Sequence, residues 1–321
     1  MTCIDIHAHI VDRQYMEQLR THLGLEVTES GDKTFLGKDG NTVAWSRPDM
    51  FEVDERLRRM DAKGIDMRAI SLSTPNVYAW EPEIQIQVAR MINDRVHEMC
   101  HGHPDRFVGL ASLPLGDIDA SMRELDRAVN ELDMRGIALG SNVGGRQLDD
   151  PMFEPLWERM STLGIPAFMH PMFPANTSGM EGYELPLRVG FPFDTTLAAT
   201  RLIYSGVLER HPDLAIVLAH TGGTLLTLIE RLDNGFRIFP ACREHITQLP
   251  SVYAKRLYYD TASFFAPVLE MAIGFAGADH LLFATDDPYI DADTAHVDQM
   301  NLPANQKAAI LGGNAARLLR V

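Results

Sequence analysis

Residues 3–10 read Cys-Ile-Asp-Ile-His-Ala-His-Ile, a short β-prone run whose apolar residues frame one acid and two imidazoles. The residues directly after this run decide the fold. An open, doubly wound nucleotide-binding sheet wants a G-x-G-x-x-G turn immediately behind its first strand. Here the run meets a polar stretch instead, residues 11–52. Seven further apolar runs then recur down the chain: Met67–Ser73, Phe107–Leu113, Gly136–Gly140, Pro166–Pro171, Leu214–Ala219, Leu257–Ala262 and His280–Thr285. Nearly continuous apolar runs, rather than strict alternation, are expected of parallel strands covered on both faces.

Between these runs lie amphipathic stretches at Val53–Ala62, Glu83–His101, Ala120–Leu132, Met152–Leu163, Thr195–Glu209, Thr224–Phe236 and Pro267–Phe275, with a last one over Ala304–Leu319. Met122, Leu125, Val129 and Leu132 show the three-and-four spacing that buries one helical face. Eight strands, each paired with a helix, close most simply into a (β/α)8 TIM barrel. The 321 residues suit one such barrel domain spanning 1–321. Three segments interrupt the rhythm. Residues 11–52 hold β-prone runs between Gly-Asp and Asp-Gly turns and predict a hairpin excursion after the first strand. Residues 173–194, rich in Pro, Gly and aromatics, and residues 240–256 are the other two insertions.

Composition narrows the function. The formal charge of −15 makes nucleic acid a poor partner. No apolar run approaches the ~18 residues of a membrane span. The opening MTCIDIHAHI lacks the basic start of a secretory signal and points to the cytoplasm. Three cysteines, with no C-x-x-C, argue against a disulfide framework or a thiolate metal cluster.

His7 and His9 stand two apart on a strand, so both project to one side, a good half-site for zinc or a similar ion. Alone the pair is weak, because 12 histidines in this length give about half an H-x-H pair by chance. His101-Gly-His103 is the internal control: it ends a helix before a strand, the wrong end of a barrel for catalysis. What lifts His7 and His9 is recurrence. His170 ends the fifth apolar run, His220 the sixth and Asp286 the eighth, where a parallel barrel delivers side chains to one mouth. His7, His9, His170 and Asp286 would be four ligands of one divalent ion, and His220 a base beside its bound water. The fourth run ends Gly-Ile-Ala-Leu-Gly-Ser, with no Lys or Glu to bridge a second metal. Zinc leads, with manganese or iron also compatible with three imidazoles and a carboxylate.

The set DIHAHI, FMHP, AHTGG, FATDDP and GGNAARLL resembles, in order along the whole chain, the amidohydrolase superfamily. Within it the likeness is to the amidohydrolase 2 branch, typified by aminocarboxymuconate semialdehyde decarboxylase. The resemblance implies His7, His9, His170 and Asp286 as metal ligands and His220 as the catalytic histidine. It implies that Arg47 holds a substrate carboxylate and that Arg231 reaches the neighbouring subunit's site in a homodimer. The implied activity is metal-dependent, non-oxidative decarboxylation of a small planar or unsaturated carboxylic acid. The alternative is a hydrolase of a lactone or related ring-cleavage product at the same site.

The chain departs from the family where an aromatic often comes after the ligand Asp; here Asp287 stands there, read first as a solvated loop residue and otherwise as a second carboxylate at the mouth that reshapes which substrate is accepted. Arg56, Arg58 and Arg59 read as the solvated face of a helix. Asp260 is a candidate to orient a ligand or His220. Tyr78 and Trp80 either wall a planar substrate or pack in the core.

Overall fold

The computed structural model describes residues 2–321. Eight strands form one sheet: β1 Ile4–Ile10, β2 Met67–Leu72, β3 Phe107–Ser112, β4 Gly136–Gly140, β5 Ala167–His170, β6 Ile216–Leu218, β7 Tyr258–Asp260 and β8 Leu281–Leu282. Every neighbouring pair from β1 to β8 is parallel. The cylinder closes between β8 and β1 without a regular ladder. Ile6 N–H donates to the carbonyl of Phe283 (2.9 Å), Asp286 N–H to that of His7 (2.9 Å) and His9 N–H to that of Asp287 (2.7 Å).

All eight apolar runs become strands, and helices cover them. Val53–Ala62 is helical over the expected span, and the long helix is Pro82–Gly102. Alternating strand residues divide between two cores. Leu110, Ala138, Phe168, Val217 and Leu282 pack in one cluster, while Ala111, Ile137, Leu139, Met169 and Leu218 pack with helices in the other.

Residues 11–52 differ from a simple hairpin. Asp12 caps a helix, Arg13–Leu23, by accepting from Tyr15 N–H (2.8 Å), and Gly24 ends it in the left-handed region. Beyond it runs a three-stranded antiparallel meander, Glu26–Ser30, Lys33–Lys38 and Asn41–Ser46. Asp39 (φ 52°) and Gly40 (φ 77°) make its second turn, which requires positive φ at both positions. The last helix also differs: Ala304–Ala308 and Asn314–Leu319 are joined through a wider turn at Ala309–Gly313. No described helix is long and apolar enough to cross a membrane.

Two insertions meet over the C-terminal mouth. Thr42, on the last meander strand, donates from N–H (3.0 Å) and Oγ1 (2.9 Å) to the two carboxylate oxygens of Glu184 in segment 173–194. That segment feeds the helix Phe191–Tyr204, whose Phe191 ring lies 6.2 Å from that of His170.

Candidate metal centre and active site

The structure brings together all five side chains expected at the mouth. One donor atom each from His7, His170, His220 and Asp286 lie within 4.8 Å of one another. His9 completes the group, its Nε2 3.0 Å from His7 Nε2 and 3.3 Å from Asp286 Oδ1. His7 Nε2 is 3.2 Å from the same oxygen, and His220 Nε2 is 3.7 Å from Asp286 Oδ2. His101 and His103 lie at the opposite end, just before β3, as the sequence control requires.

Each strand-borne imidazole is fixed from behind through Nδ1. His7 Nδ1 donates to Asp260 Oδ2 (2.7 Å), whose other oxygen accepts from Thr221 N–H (2.9 Å) and Ala262 N–H (3.0 Å). Ser71 Oγ donates to the carbonyl of Ala8 (3.2 Å), so it accepts from His9 Nδ1 (3.1 Å). His170 Nδ1 donates to the Pro171 carbonyl (3.0 Å). These partners select one tautomer and turn all three Nε2 atoms inward, the usual arrangement behind metal-bound histidines.

The donor set fits a divalent cation. Two nitrogens bound at right angles to one ion, each about 2.1 Å from it, stand about 3 Å apart, as His7 and His9 do. The electrostatics agree. Burial alone would strip His7 of its charge, but Asp286 and Asp260 outweigh it and lift its pKa to about 10. Burial would raise Asp286, yet the surrounding imidazoles hold its carboxyl well below the usual range. Burial depresses His9 and His170. The pocket thus draws in one positive charge beside neutral nitrogens.

His220 differs from the other three. It begins the turn after β6 at φ 54°, a strained conformation for a side chain, and Asp286 has the same feature at φ 59°. Its side chain is 22% exposed where those of His7 and His9 are fully buried, and its Nδ1 has no hydrogen-bond partner.

The end of β4 offers no donor. A Cβ on Gly140 would lie 2.6 Å from Met172 Cγ and 2.7 Å from the Tyr78 ring, so only glycine fits. Tyr78 and Trp80 are buried, the latter packed against Tyr15 and His22. Core packing is therefore the structural role of Trp80, while Tyr78 reaches the barrel rim beside Gly140.

Neither arginine implied by resemblance contacts the cluster. Arg47 pairs through Nε (2.8 Å) and Nη2 (3.1 Å) with Asp49 and stands 5.7 Å over the Trp45 ring. Trp45 leans on Tyr289 (5.5 Å), and Tyr289 on His9 (5.7 Å), so Arg47 belongs to the outer rim. Arg231 is exposed on the helix Leu225–Ile238.

Two expectations are corrected. Asp287 is not solvated: it is buried and paired with Arg68 Nη1 (2.8 Å) and Arg56 Nη1 (3.1 Å), with Arg59 Nη2 at 3.5 Å. Arg56 is likewise buried, while Arg58 alone of the three lies on the exposed face, with 73% of its side chain exposed and paired to Glu55 one turn back. The positive φ of Asp286 turns the next side chain inward, which no periodicity announces. For Arg56 a signal exists: it lies three after Val53 and four before Met60, on the helix's apolar stripe. Tyr289, in a loop after β8, carries no signal in the sequence that would place it against His9.

A (β/α)8 barrel whose C-terminal mouth gathers four imidazoles and a carboxylate defines a metal-dependent barrel enzyme class. A family model described as Amidohydrolase matches residues 4–321, and the chain belongs to that family. It is 28% identical to the 2-amino-3-carboxymuconate-6-semialdehyde decarboxylase of Dictyostelium discoideum, over 98% of this chain and 91% of the relative. It is 33% identical to the gamma-resorcylate decarboxylase of Rhizobium sp. strain MTP-10005, over 84% and 87%. Its fold matches the crystal structure of a dihydroxybenzoic acid decarboxylase from Polaromonas sp. JS666, which holds manganese and the inhibitor 2-nitroresorcinol. That match has a TM-score of 0.81 at 26% identity and covers 99% of this chain and 97% of the other.

Proposed function

We propose that this protein is a divalent-metal-dependent, non-oxidative decarboxylase of a small aromatic or unsaturated carboxylic acid. The observation that carries the reading is the convergence of three Nδ1-anchored imidazoles at the barrel mouth, His7 and His9 within 3.3 Å of the Asp286 carboxylate and His170 in the same cluster. The relatives named above, all decarboxylases over nearly the full chain, support the reaction class.

His7, His9, His170 and Asp286 are the proposed ligands. A divalent ion held there supplies a Lewis acid that polarises a substrate oxygen. Zinc is the first choice for a nitrogen-rich set, and manganese, present in the Polaromonas structure, is its competitor. His220 is assigned to proton transfer because its imidazole is the accessible one and nothing fixes its Nδ1. In the overall reaction the carbon–carboxylate bond breaks, carbon dioxide leaves, and the carbon takes a proton. His220 holds that proton at Nε2 and regains it from solvent. Phe168 beneath His7 (4.8 Å) and Phe191 beside His170 (6.2 Å) give the pocket apolar walls, which favour turning a charged acid into a neutral product.

Arg47 is proposed to swing from Asp49 to the substrate carboxylate, a bidentate pairing that Lys does not reproduce. Arg231 has no carboxylate partner among the described residues and is proposed to serve the neighbouring site of a homodimer. A single barrel domain acting in the cytoplasm completes the reading.

The test is carbon dioxide release from a panel of hydroxybenzoic and muconate-type acids by the metal-loaded enzyme. Turnover of at least one, abolished by chelation, is expected. A folded, metal-loaded enzyme inert on the whole panel contradicts the proposal.

A further inference from the structure

The β8–β1 seam is where the barrel's ladder is weakest, and it is also where the candidate ligands face one another. His7 and His9 stand on its β1 side and Asp286 on the β8 side. Apart from three backbone hydrogen bonds, the only ladder-like feature across the seam among the described residues is a single parallel bridge between Ala8 and Asp287. A buried ionic network spans the same gap. Arg56 Nη2 donates to the carbonyl of His9 (2.7 Å) while its Nη1 lies 3.1 Å from Asp287 Oδ2. One guanidinium therefore grips the backbone of a β1 ligand and the residue next to the β8 ligand. Arg68 Nη1 holds the same Asp287 oxygen at 2.8 Å, and Arg68 Nε reaches Asp5 Oδ2 at 3.2 Å. Asp5 in turn crosses the seam, accepting from Thr285 N–H (3.0 Å), from Thr285 Oγ1 (2.5 Å) and from His7 N–H (3.1 Å). None of these four charged side chains is more than 5% exposed.

We infer that Arg56 and Asp287 are positioning residues that set the spacing between the His7/His9 pair and Asp286, and so the pocket's affinity for a divalent ion. Buried ion pairs are poor sources of net stability, since desolvation cancels much of their attraction. What they fix well is geometry. Here they tie together the two strands whose separation determines whether three donors reach one centre. Neither residue touches the cluster with its own side chain, so the role is exercised through the His9 carbonyl and the Asp286–Asp287 peptide.

The inference rests on the metal reading above, and its test separates the two. Chelator-stripped protein is titrated with Mn2+, free ion is followed by electron paramagnetic resonance, and the thermal midpoint of each metal-free variant is measured alongside. Arg56→Met keeps the bulk but loses both grips; Asp287→Asn keeps the shape and loses the charge. Each should weaken Mn2+ binding about 10- to 100-fold, the range seen when outer partners of metal ligands are removed. Arg106→Gln is the control. It removes a partly exposed guanidinium anchor to Asp66 O (2.8 Å) and Asp61 (2.8 Å) just before β3, away from the seam, and should leave Mn2+ affinity unchanged. If Arg56→Met does not fold, Asp287→Asn decides alone. Variants that bind Mn2+ within twofold of the parent overturn the inference and leave the metal reading intact. If the parent binds no Mn2+, the same comparison is made with Zn2+ by chelator competition, and a parent that binds neither ion overturns both.

Discussion

His7 Nδ1 stands 2.7 Å from Asp260 Oδ2, and both side chains are fully buried. The contact joins the first strand to the seventh and aims His7 Nε2 into the mouth. Asp260 is already committed on its other oxygen, which accepts two backbone N–H groups from Thr221 and Ala262. An Asn in its place has one accepting oxygen for these three donors and must set its NH2 against at least one of them. Asp260→Asn is therefore expected to weaken metal binding about 10- to 100-fold and to cost about 1–3 kcal/mol in stability. Chelator competition and denaturant unfolding read the two effects separately.

Metal uptake is also expected to depend on pH, because, against burial, the Asp286 charge and then the Asp260 hydrogen bond raise the His7 pKa. In the metal-free protein His7 keeps its proton up to about pH 10, against about 6.5 in an unfolded chain. Because the folded pKa is the higher one, the stabilisation from this group is full below about pH 6.5 and fades as pH rises toward 10. A cation entering the pocket must displace that proton, while His9 and His170 are already neutral. Calorimetry at pH 7.5 in buffers of different ionisation enthalpy should show about one proton released per ion bound. No release would contradict the charge state assigned to His7.

His220 and His170 should part company on mutation. His220→Ala is expected to lower turnover about 10²- to 10⁴-fold, the usual range for a general acid or base, with the metal retained. His170→Ala should lose the metal itself. Metal content measured beside activity distinguishes them, and equal metal loss in both would make His220 a ligand.

Glu184 ties segment 173–194 to the meander, and Thr42 is the residue that donates both hydrogen bonds to its carboxylate. Glu184→Ala should destabilise by only about 1–3 kcal/mol, the usual range for two hydrogen bonds at about 0.5–1.5 each. It should also open the segment to limited proteolysis and raise KM more than it lowers kcat. Unchanged cleavage rates would show that the two insertions do not depend on each other.

Much of the site is readable in the residues because barrel chemistry tracks strand ends. Apolar runs that stop at His170, at His220 and, just past Thr285, at Asp286 mark where side chains leave the sheet for the mouth, and all three arrive there. The meander exceeds the expected hairpin because Gly31-Asp32 and Asp39-Gly40 are two turns, and two turns make three strands. The ionic network is not legible in sequence because charge argues for solvent unless the partner is known. Arg56 and Arg68 lie on consecutive elements near the start of the chain and Asp287 near its end, and only the closed barrel brings them together. Arg47 and Arg231 show the converse: a position matched by resemblance says where a side chain sits, and both sit away from the cluster in the single chain.

The most direct test of the central claim is an anomalous difference map from crystals of the metal-loaded protein, collected at the absorption edge of the bound ion. One dominant peak is expected within bonding distance of Nε2 of His7, His9 and His170 and of an Asp286 oxygen. A map with its peak elsewhere, or with none at the mouth despite full metal loading in solution, would contradict it.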